Sequence, residues 1–187
     1  MENITVEGNE FYLEELKVPK ERVGVFIGKN GETKKELAET MGCEIDIDSK
    51  EGIVTIKSPD SINLMIAKDV IKAIARGFNP EFAKLLINDE YSFQMINLND
   101  YNAHKNHQER LKGRVIGRNG KSRSMIEEYT ECHISIYGKT IGIIGKGENV
   151  RIAFKAVESL LEGSPHAYVY KWLEKQRTEL ETSEIPF

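Results

Sequence analysis

GRVIGRNGKSRSMIEE, at residues 113–128, is the stretch that decides the fold. It places a four-residue G-x-x-G turn between two segments whose apolar residues have helical spacing. The same turn occurs earlier in the chain, because IGKNG at 27–31 matches IGRNG at 116–120 at an offset of 89. Glycines mark many kinds of turn, so one G-x-x-G carries little information, but two in the same context indicate an internal repeat.

The repeat extends well beyond the two turns. CEIDID at 43–48 matches CHISIY at 132–137 at the same offset, and IAKDVIKAIARG at 66–77 matches IAFKAVESLLEG at 152–163 at an offset of 86. CEIDID and CHISIY both alternate apolar with polar residues, which predicts a half-buried strand. We therefore expect two diverged copies of one structural unit, each with the element order β-α-α-β-β-α.

The strands are predicted at 11–16, 43–48 and 53–57 in copy one and at 91–98, 132–137 and 140–145 in copy two. A helix lies on each side of each turn, and a last helix closes each copy, with Asp60 or Ser61 as its N-cap in copy one. Asn79 is predicted to cap a further short helix that has Pro80 at its first position. The predicted organisation is domain one at 1–79, a linker helix at 80–89, domain two at 90–164, and a C-terminal helix and tail at 165–187.

The charge of the 187-residue chain is unevenly distributed, although its net value is −4. Residues 104–123 carry seven cations and one anion, residues 17–35 carry six cations and two anions, and the remainder is strongly acidic. Such clusters are often solvated helix faces. Two clusters at matching places in a repeat favour instead two basic surfaces that bind a polyanion.

Other features narrow the class of protein. Apolar runs are too short for a membrane span, and the N-terminus lacks the pattern of a signal peptide, so we expect a cytoplasmic protein with no membrane partner. Cys43 and Cys132 occupy equivalent positions and are predicted to be small core residues. His104 and His107 lie in a polar stretch and are either solvated or in contact with RNA.

The turn and its context resemble the KH domain, whose G-x-x-G loop clamps about four nucleotides of single-stranded nucleic acid. The resemblance implies an α+β fold of two tandem type I KH domains, packed together, with a linker helix and a C-terminal helix. The glycines let a phosphate backbone approach closely, because they have no Cβ. The helix after the loop offers its N-terminal N–H groups to the phosphates.

Both copies depart from the commonest KH pattern, in which an isoleucine stands three residues after the second glycine. Here those positions are Lys34 and Arg123. Residues 113–128, together with IYGKTIGIIG at 136–145, are similar to archaeal relatives of the KH proteins of small-subunit ribosome assembly. In eukaryotes these include the partner of the Nob endonuclease. The similarity implies binding to the 3′ region of small-subunit ribosomal RNA, cooperation with a Nob-type endonuclease, and a link to a translation initiation factor.

Eukaryotic members of this group are described as having lost the loop of the first KH domain, whereas this chain keeps GKNG at 28–31. Copy one could therefore bind RNA or serve mainly as a docking surface. Copy two is expected to carry most of the RNA affinity, because Glu21 and Glu32 flank the loop of copy one and CEIDID is acidic. The KH resemblance implies that the bases lie across a groove with an apolar floor. In copy two this floor is assigned to Val115, Ile116, Ile134 and Ile136, which could equally be core residues. The predicted RNA-binding residues are Gly28, Lys29, Asn30 and Gly31 in copy one and, in copy two, Arg110, Lys112, Arg114, Val115, Ile116, Gly117, Arg118, Asn119, Gly120, Lys121, Arg123, Ile134 and Ile136.

No catalytic residue, metal site or cofactor is predicted. RNGKS at 118–122 contains a fragment of a phosphate-binding P-loop, but position 115 is valine where that loop needs glycine, and no buried strand precedes it. The alternative to RNA binding is a protein-interaction scaffold of the translation or ribosome-assembly machinery, in which the KH folds mainly dock proteins.

Overall fold

The structure, a computed structural model, describes residues 2–6 and 9–183. The chain divides between Asp89 and Glu90 into two compact units. Within the described residues, no helix is long and apolar enough to cross a membrane.

The first unit contains a four-stranded antiparallel sheet with helices. Its elements are β1 Glu2–Val6, β2 Asn9–Lys17, α1 Lys20–Ile27, α2 Glu32–Met41, β3 Glu44–Asp48, β4 Ile53–Ser58, α3 Ser61–Ala75 and α4 Pro80–Ala83. The strands lie in the order β1-β2-β4-β3, and every pairing is antiparallel. The hairpin of β1 with β2 was not predicted, because the N-terminus was interpreted only as polar and acidic. Its sequence ENITV does contain three β-branched residues, which favour a strand.

The second unit repeats the arrangement around a three-stranded sheet. Its elements are β5 Tyr91–Asn97, α5 Lys105–Ile116, α6 Lys121–Thr130, β6 His133–Tyr137, β7 Thr140–Lys146, α7 Gly147–Leu161 and α8 His166–Ser183. The strand order is β5-β7-β6, again antiparallel. Setting aside β1, α4 and α8, both units have the predicted order β-α-α-β-β-α. The predicted α+β class with two KH-type units is therefore confirmed.

The apolar pattern of each copy places its core between the sheet and the helices. In β4, buried and half-buried residues alternate, and Val54 and Ile56 are fully buried. In the second unit Ile141 and Ile143 of β7 have the same role, together with Ile126 of α6. Burying each of these side chains contributes about 1.5–3 kcal/mol.

The helix ends differ in how they are capped. Asp60 caps α3 as predicted, because its carboxylate accepts hydrogen bonds from the backbone N–H groups of Ile62 and Asn63. Asn79 stands at the N-cap of α4, but its side chain makes no capping hydrogen bond. Residues 80–89 lie within the first unit, where α4 and the 3₁₀ turn Lys84–Ile87 pack against α3.

The C-terminal helix α8 belongs to the body of the second unit. Val169 and Leu173 are buried in the core cluster, so α8 packs against α6 and α7. The tail predicted within 165–187 falls at residues 184–187, which lie outside the described residues.

One arginine in each unit ties the first helix of the repeat to the end of its last helix. The Arg22 guanidinium donates to the carbonyl oxygens of Ile74 and Phe78, at 2.9 and 2.6 Å. The Arg114 guanidinium donates to those of Leu160 and Ser164, at 2.9 and 2.8 Å. Both arginines thus add a side-chain donor at a helix C-terminus, where the Ile74 and Leu160 carbonyls also accept from the backbone N–H groups of Gly77 and Gly163.

Candidate nucleic-acid interface

The two G-x-x-G loops have the same backbone geometry. In copy two Gly117, Asn119 and Gly120 all have positive φ, at 72, 54 and 77°. In copy one the matching residues have φ values of 72, 53 and 80°. Asparagine enters the left-handed region more readily than most residues, so the sequence G-x-N-G suits this turn.

The two glycines of each loop serve different purposes. A Cβ at Gly117 would lie 2.6 Å from Ser122 Cβ and 2.7 Å from its backbone nitrogen, so the loop closes tightly onto α6 there. Gly28 is packed in the same way against Thr33. At Gly120 and Gly31 a Cβ would meet nothing within 4 Å. The first glycine is therefore required by packing, and the second by its positive φ and by the open space that a phosphate backbone can approach.

Three cations of copy two surround its loop without a partner. Arg110, Arg118 and Lys121 are exposed, and none of them forms an ion pair with any described residue. Their charge adds to the positive end of α6, which begins directly after Gly120. The arrangement suits a chain of phosphates lying along the loop.

The other predicted cations of copy two already have partners. Arg123 lies 3.4 Å from Glu127, and Lys112 bonds to Glu109 at 2.6 Å and to the Gly138 carbonyl oxygen at 3.1 Å. Arg114 was predicted to bind RNA, but its guanidinium is held by two backbone carbonyls. These bonds give Arg114 a structural role, while its side chain also lines the cleft described below, so its contact with RNA stays a prediction.

The predicted groove floor divides into surface and core. Ile116 is 38% exposed at the end of α5, and Ile136 is half-buried on β6, so both can meet a base. Val115 is completely buried and Ile134 is 5% exposed, and both lie in the core cluster. Their assignment to the groove surface is corrected, because both side chains are buried in the core of the second unit.

The loop of copy one lies beside acidic groups. Lys29 is exposed, but Lys34 forms an ion pair with Asp46 of β3 at 3.8 Å. This pair joins α2 to the strand on the other side of the groove. Glu44 and Asp48, also on β3, are exposed as well. The corresponding strand of copy two, β6, has no carboxylate.

A cleft of about 600 Å³ lies beside the copy-two loop, where residues of α5, α6 and α8 meet. It is lined by residues of α5, by the loop, by Ser122 of α6, and by His166 and Tyr170 of α8. Sequence reasoning missed the contributions of Ser122, His166 and Tyr170. The α8 residues lie about 50 positions from the loop, and no motif joins them to it.

The cysteines behave as small apolar side chains. Cys132 is buried as predicted, whereas Cys43 is half-buried. Burial raises the pKa of each thiol to about 11, so both are protonated at neutral pH. The described residues contain no group of three His, Cys, Asp or Glu side chains that could hold a metal ion.

Each of the two units matches a known family of KH domains. Residues 92–178 match the second KH domain of PNO1, described as a eukaryotic type KH-domain (KH-domain type I), and residues 13–73 match the KH domain. Each match contains one G-x-x-G loop.

Similar proteins are found in archaea and eukaryotes. The KH domain-containing protein MJ0443 of Methanocaldococcus jannaschii is 46% identical over 92% of this chain and 78% of its own length. The pre-rRNA-processing protein pno1 of Aspergillus oryzae is 30% identical over 74% of this chain, which spans only 56% of that protein. Dim2p in the a/eIF2α–Dim2p–rRNA complex from Pyrococcus horikoshii is 42% identical, with a TM-score of 0.84, over 90% of this chain and 96% of that one.

Proposed function

This chain belongs to the PNO1/Dim2 family of proteins with two KH domains, and from that premise we propose that it binds single-stranded RNA during ribosome assembly. The target that we propose is the 3′ region of small-subunit ribosomal RNA, at the stage when that end is processed. The function is recognition of RNA and not chemistry on it.

The observation that carries this proposal is the loop of copy two. Its positive-φ backbone leaves open space at Gly120, with Arg118 and Lys121 unpaired on either side and the N-terminus of α6 behind them. Phosphates are attracted by the charge and by the helix N–H groups, while Ile116 and Ile136 offer apolar contact to the bases.

The test is a binding titration with a single-stranded RNA of the small-subunit 3′ sequence. The variant Arg118→Asp/Asn119→Asp places two anions where the phosphates would lie. Both side chains are exposed, and aspartate tolerates the left-handed backbone of Asn119, so the variant should stay folded. Unchanged affinity in a folded variant would show that the loop does not clamp RNA.

A second candidate function concerns copy one, which we propose docks a protein. The Lys34–Asp46 ion pair bridges its groove, and the exposed acids of β3 repel a polyanion. The Pyrococcus protein is found in a complex with a/eIF2α as well as rRNA. A translation initiation factor is therefore a proposed partner, and a Nob-type endonuclease is a further one.

The docking candidate is tested by calorimetric titration of purified initiation factor α subunit into the protein. Asp46→Lys should weaken the interaction if the acidic strand takes part, whereas Ser135→Lys, at the matching place in copy two, should leave it unchanged. Equal effects of the two variants would remove the reason for assigning the docking surface to copy one.

A further inference from the structure

The cleft behind the copy-two loop has the chemistry of an anion site. We define this back cleft by Arg110, Arg118, Lys121, Ser122, His166 and Tyr170. Within the part of the chain that the structure describes, three of these residues are cations without an ion pair, and no Asp or Glu lines the cleft. A cation-lined concavity without carboxylates favours a negatively charged ligand.

The back cleft and the base-binding groove lie on different faces of α5. Lys112 points toward the sheet, because its ammonium donates to the Gly138 carbonyl oxygen in the turn between β6 and β7. Arg110, Gly113 and Gly117 are three, four and seven residues apart, so they share another face, and all three line the cleft. The loop therefore separates two recesses, and a strand that lies along it can reach both.

A buried hydroxyl gives independent support for a ligand here. Ser122 lines the cleft and is 1% exposed, yet its Oγ has no hydrogen-bond partner among the described residues. Leaving such a group unsatisfied costs about 1–3 kcal/mol. Ser122 is also the second residue of α6, where backbone N–H groups have no partner within the helix. A phosphate oxygen entering the cleft would satisfy donors of both kinds.

We propose that the back cleft binds a backbone phosphate of the same RNA strand, outside the nucleotides held in the groove. This inference rests on the proposed function and extends the path of the RNA around the loop toward α8. Arg110 of α5 and Lys121 of α6 would contact the phosphate, and Ser122 would donate to it.

The site is specific to copy two. At the offset of 89, Arg110 corresponds to Glu21 and Lys121 to Glu32, so copy one carries acids at both positions. The helix α8, which supplies His166 and Tyr170, follows copy two only. The same phosphate would therefore be repelled from the matching surface of copy one.

The experiment compares RNAs of four and eight nucleotides, because a KH groove holds about four. Wild-type protein should bind the longer RNA more tightly and with a steeper salt dependence. Arg110→Gln should weaken the eight-nucleotide affinity about tenfold, the value of one charge-assisted hydrogen bond, and should weaken the four-nucleotide affinity much less. Its salt slope should fall by about 0.7. The matched control is Lys105→Gln, which removes one exposed cation of α5 outside the cleft.

The outcomes separate this inference from the proposed function. If wild-type protein binds neither RNA, the proposed function itself fails. If Arg110→Gln weakens both lengths equally, or if Lys105→Gln has the same effect, the cleft is not a phosphate site. Ser122→Ala gives a second measurement, because it removes an unpartnered buried hydroxyl. It should keep or raise the unfolding temperature of the free protein and still weaken binding of the longer RNA. An unchanged affinity would overturn the assignment of Ser122 as a ligand.

Discussion

The two loops should contribute unequally to RNA binding, and matched charge reversals can measure the difference. Arg118→Asp/Asn119→Asp changes the loop of copy two, and Lys29→Asp/Asn30→Asp makes the same change in copy one. Both asparagines have a φ close to 54°, a conformation that aspartate tolerates. Neither variant should lose much stability, which thermal unfolding would verify.

The expected magnitude follows from the unpaired cations around each loop. Three of them in copy two, each in contact with one phosphate, give a slope of about 2 in a plot of log K against log salt, at about 0.7 per contact. That slope corresponds to a loss of roughly 20-fold in affinity between 50 and 200 mM salt. In copy one Lys34 and Lys35 are already paired, which leaves Lys29 as the cation within the loop.

The copy-two variant should therefore lower the slope by between about 0.7 and 2, and the copy-one variant by at most about 0.7. Fluorescence anisotropy titrations with one labelled single-stranded RNA at four salt concentrations would provide both slopes. An equal fall in the two variants, or a larger one from copy one, would refute the assignment of the main binding surface to copy two.

Four further predictions concern stability and chemistry. Arg114→Ala should lower the free energy of unfolding in urea by about 2 kcal/mol through two lost hydrogen bonds; a loss of RNA affinity without a loss of stability would show that its side chain, which also lines the back cleft, serves RNA binding and not the fold. Gly117→Ala should cost more stability than Gly120→Ala, because only the first meets packed atoms, and Gly120→Ala should weaken RNA binding at a cost of about 1–2 kcal/mol in stability; equal destabilisation would contradict the division of roles. Burial raises the pKa of the Cys132 thiol from its usual value near 9 to about 11. The unfolded protein therefore loses this proton first, and the free energy of unfolding should fall as the pH rises from 9 to 11. In the Cys132→Ala variant that free energy should fall less over the same range. Purified protein should neither hydrolyse ATP nor cut RNA, with or without divalent metal; turnover that disappears on mutation of one acidic residue would show that it is an enzyme.

The elements of both units could be predicted because the repeat showed each pattern twice. An apolar alternation that is ambiguous in one strand becomes convincing when the equivalent strand shows it again, as CEIDID and CHISIY do. The hairpin strand Glu2–Val6 has no counterpart in copy two, so that check did not exist for it. Local propensity alone was too weak a signal to place it.

The site was predictable in the loop and less so around it. The G-x-x-G turn specifies its own geometry, so the turn at Gly117–Gly120 could be predicted as one structural feature, while its contact with RNA stays a prediction. Charge by itself does not show where a side chain points, and Arg114 was grouped with the RNA-facing cations although it bonds to carbonyls of its own fold. Val115 was ambiguous between groove and core for the same reason, since both environments favour a valine.

The arginine that ties the first helix of each repeat to the last also bears on how interchangeable the two halves are. The accepting carbonyls keep the offset of 86, from Ile74 to Leu160 and from Phe78 to Ser164, while the donating arginines are 92 positions apart. Measured from the loop glycines, which are 89 apart, the donor has moved by three residues, almost one helical turn. A chimera that exchanged the first helices of the two halves would place each guanidinium a turn away from the carbonyls it must reach. The halves are thus built to one plan but from parts that do not interchange.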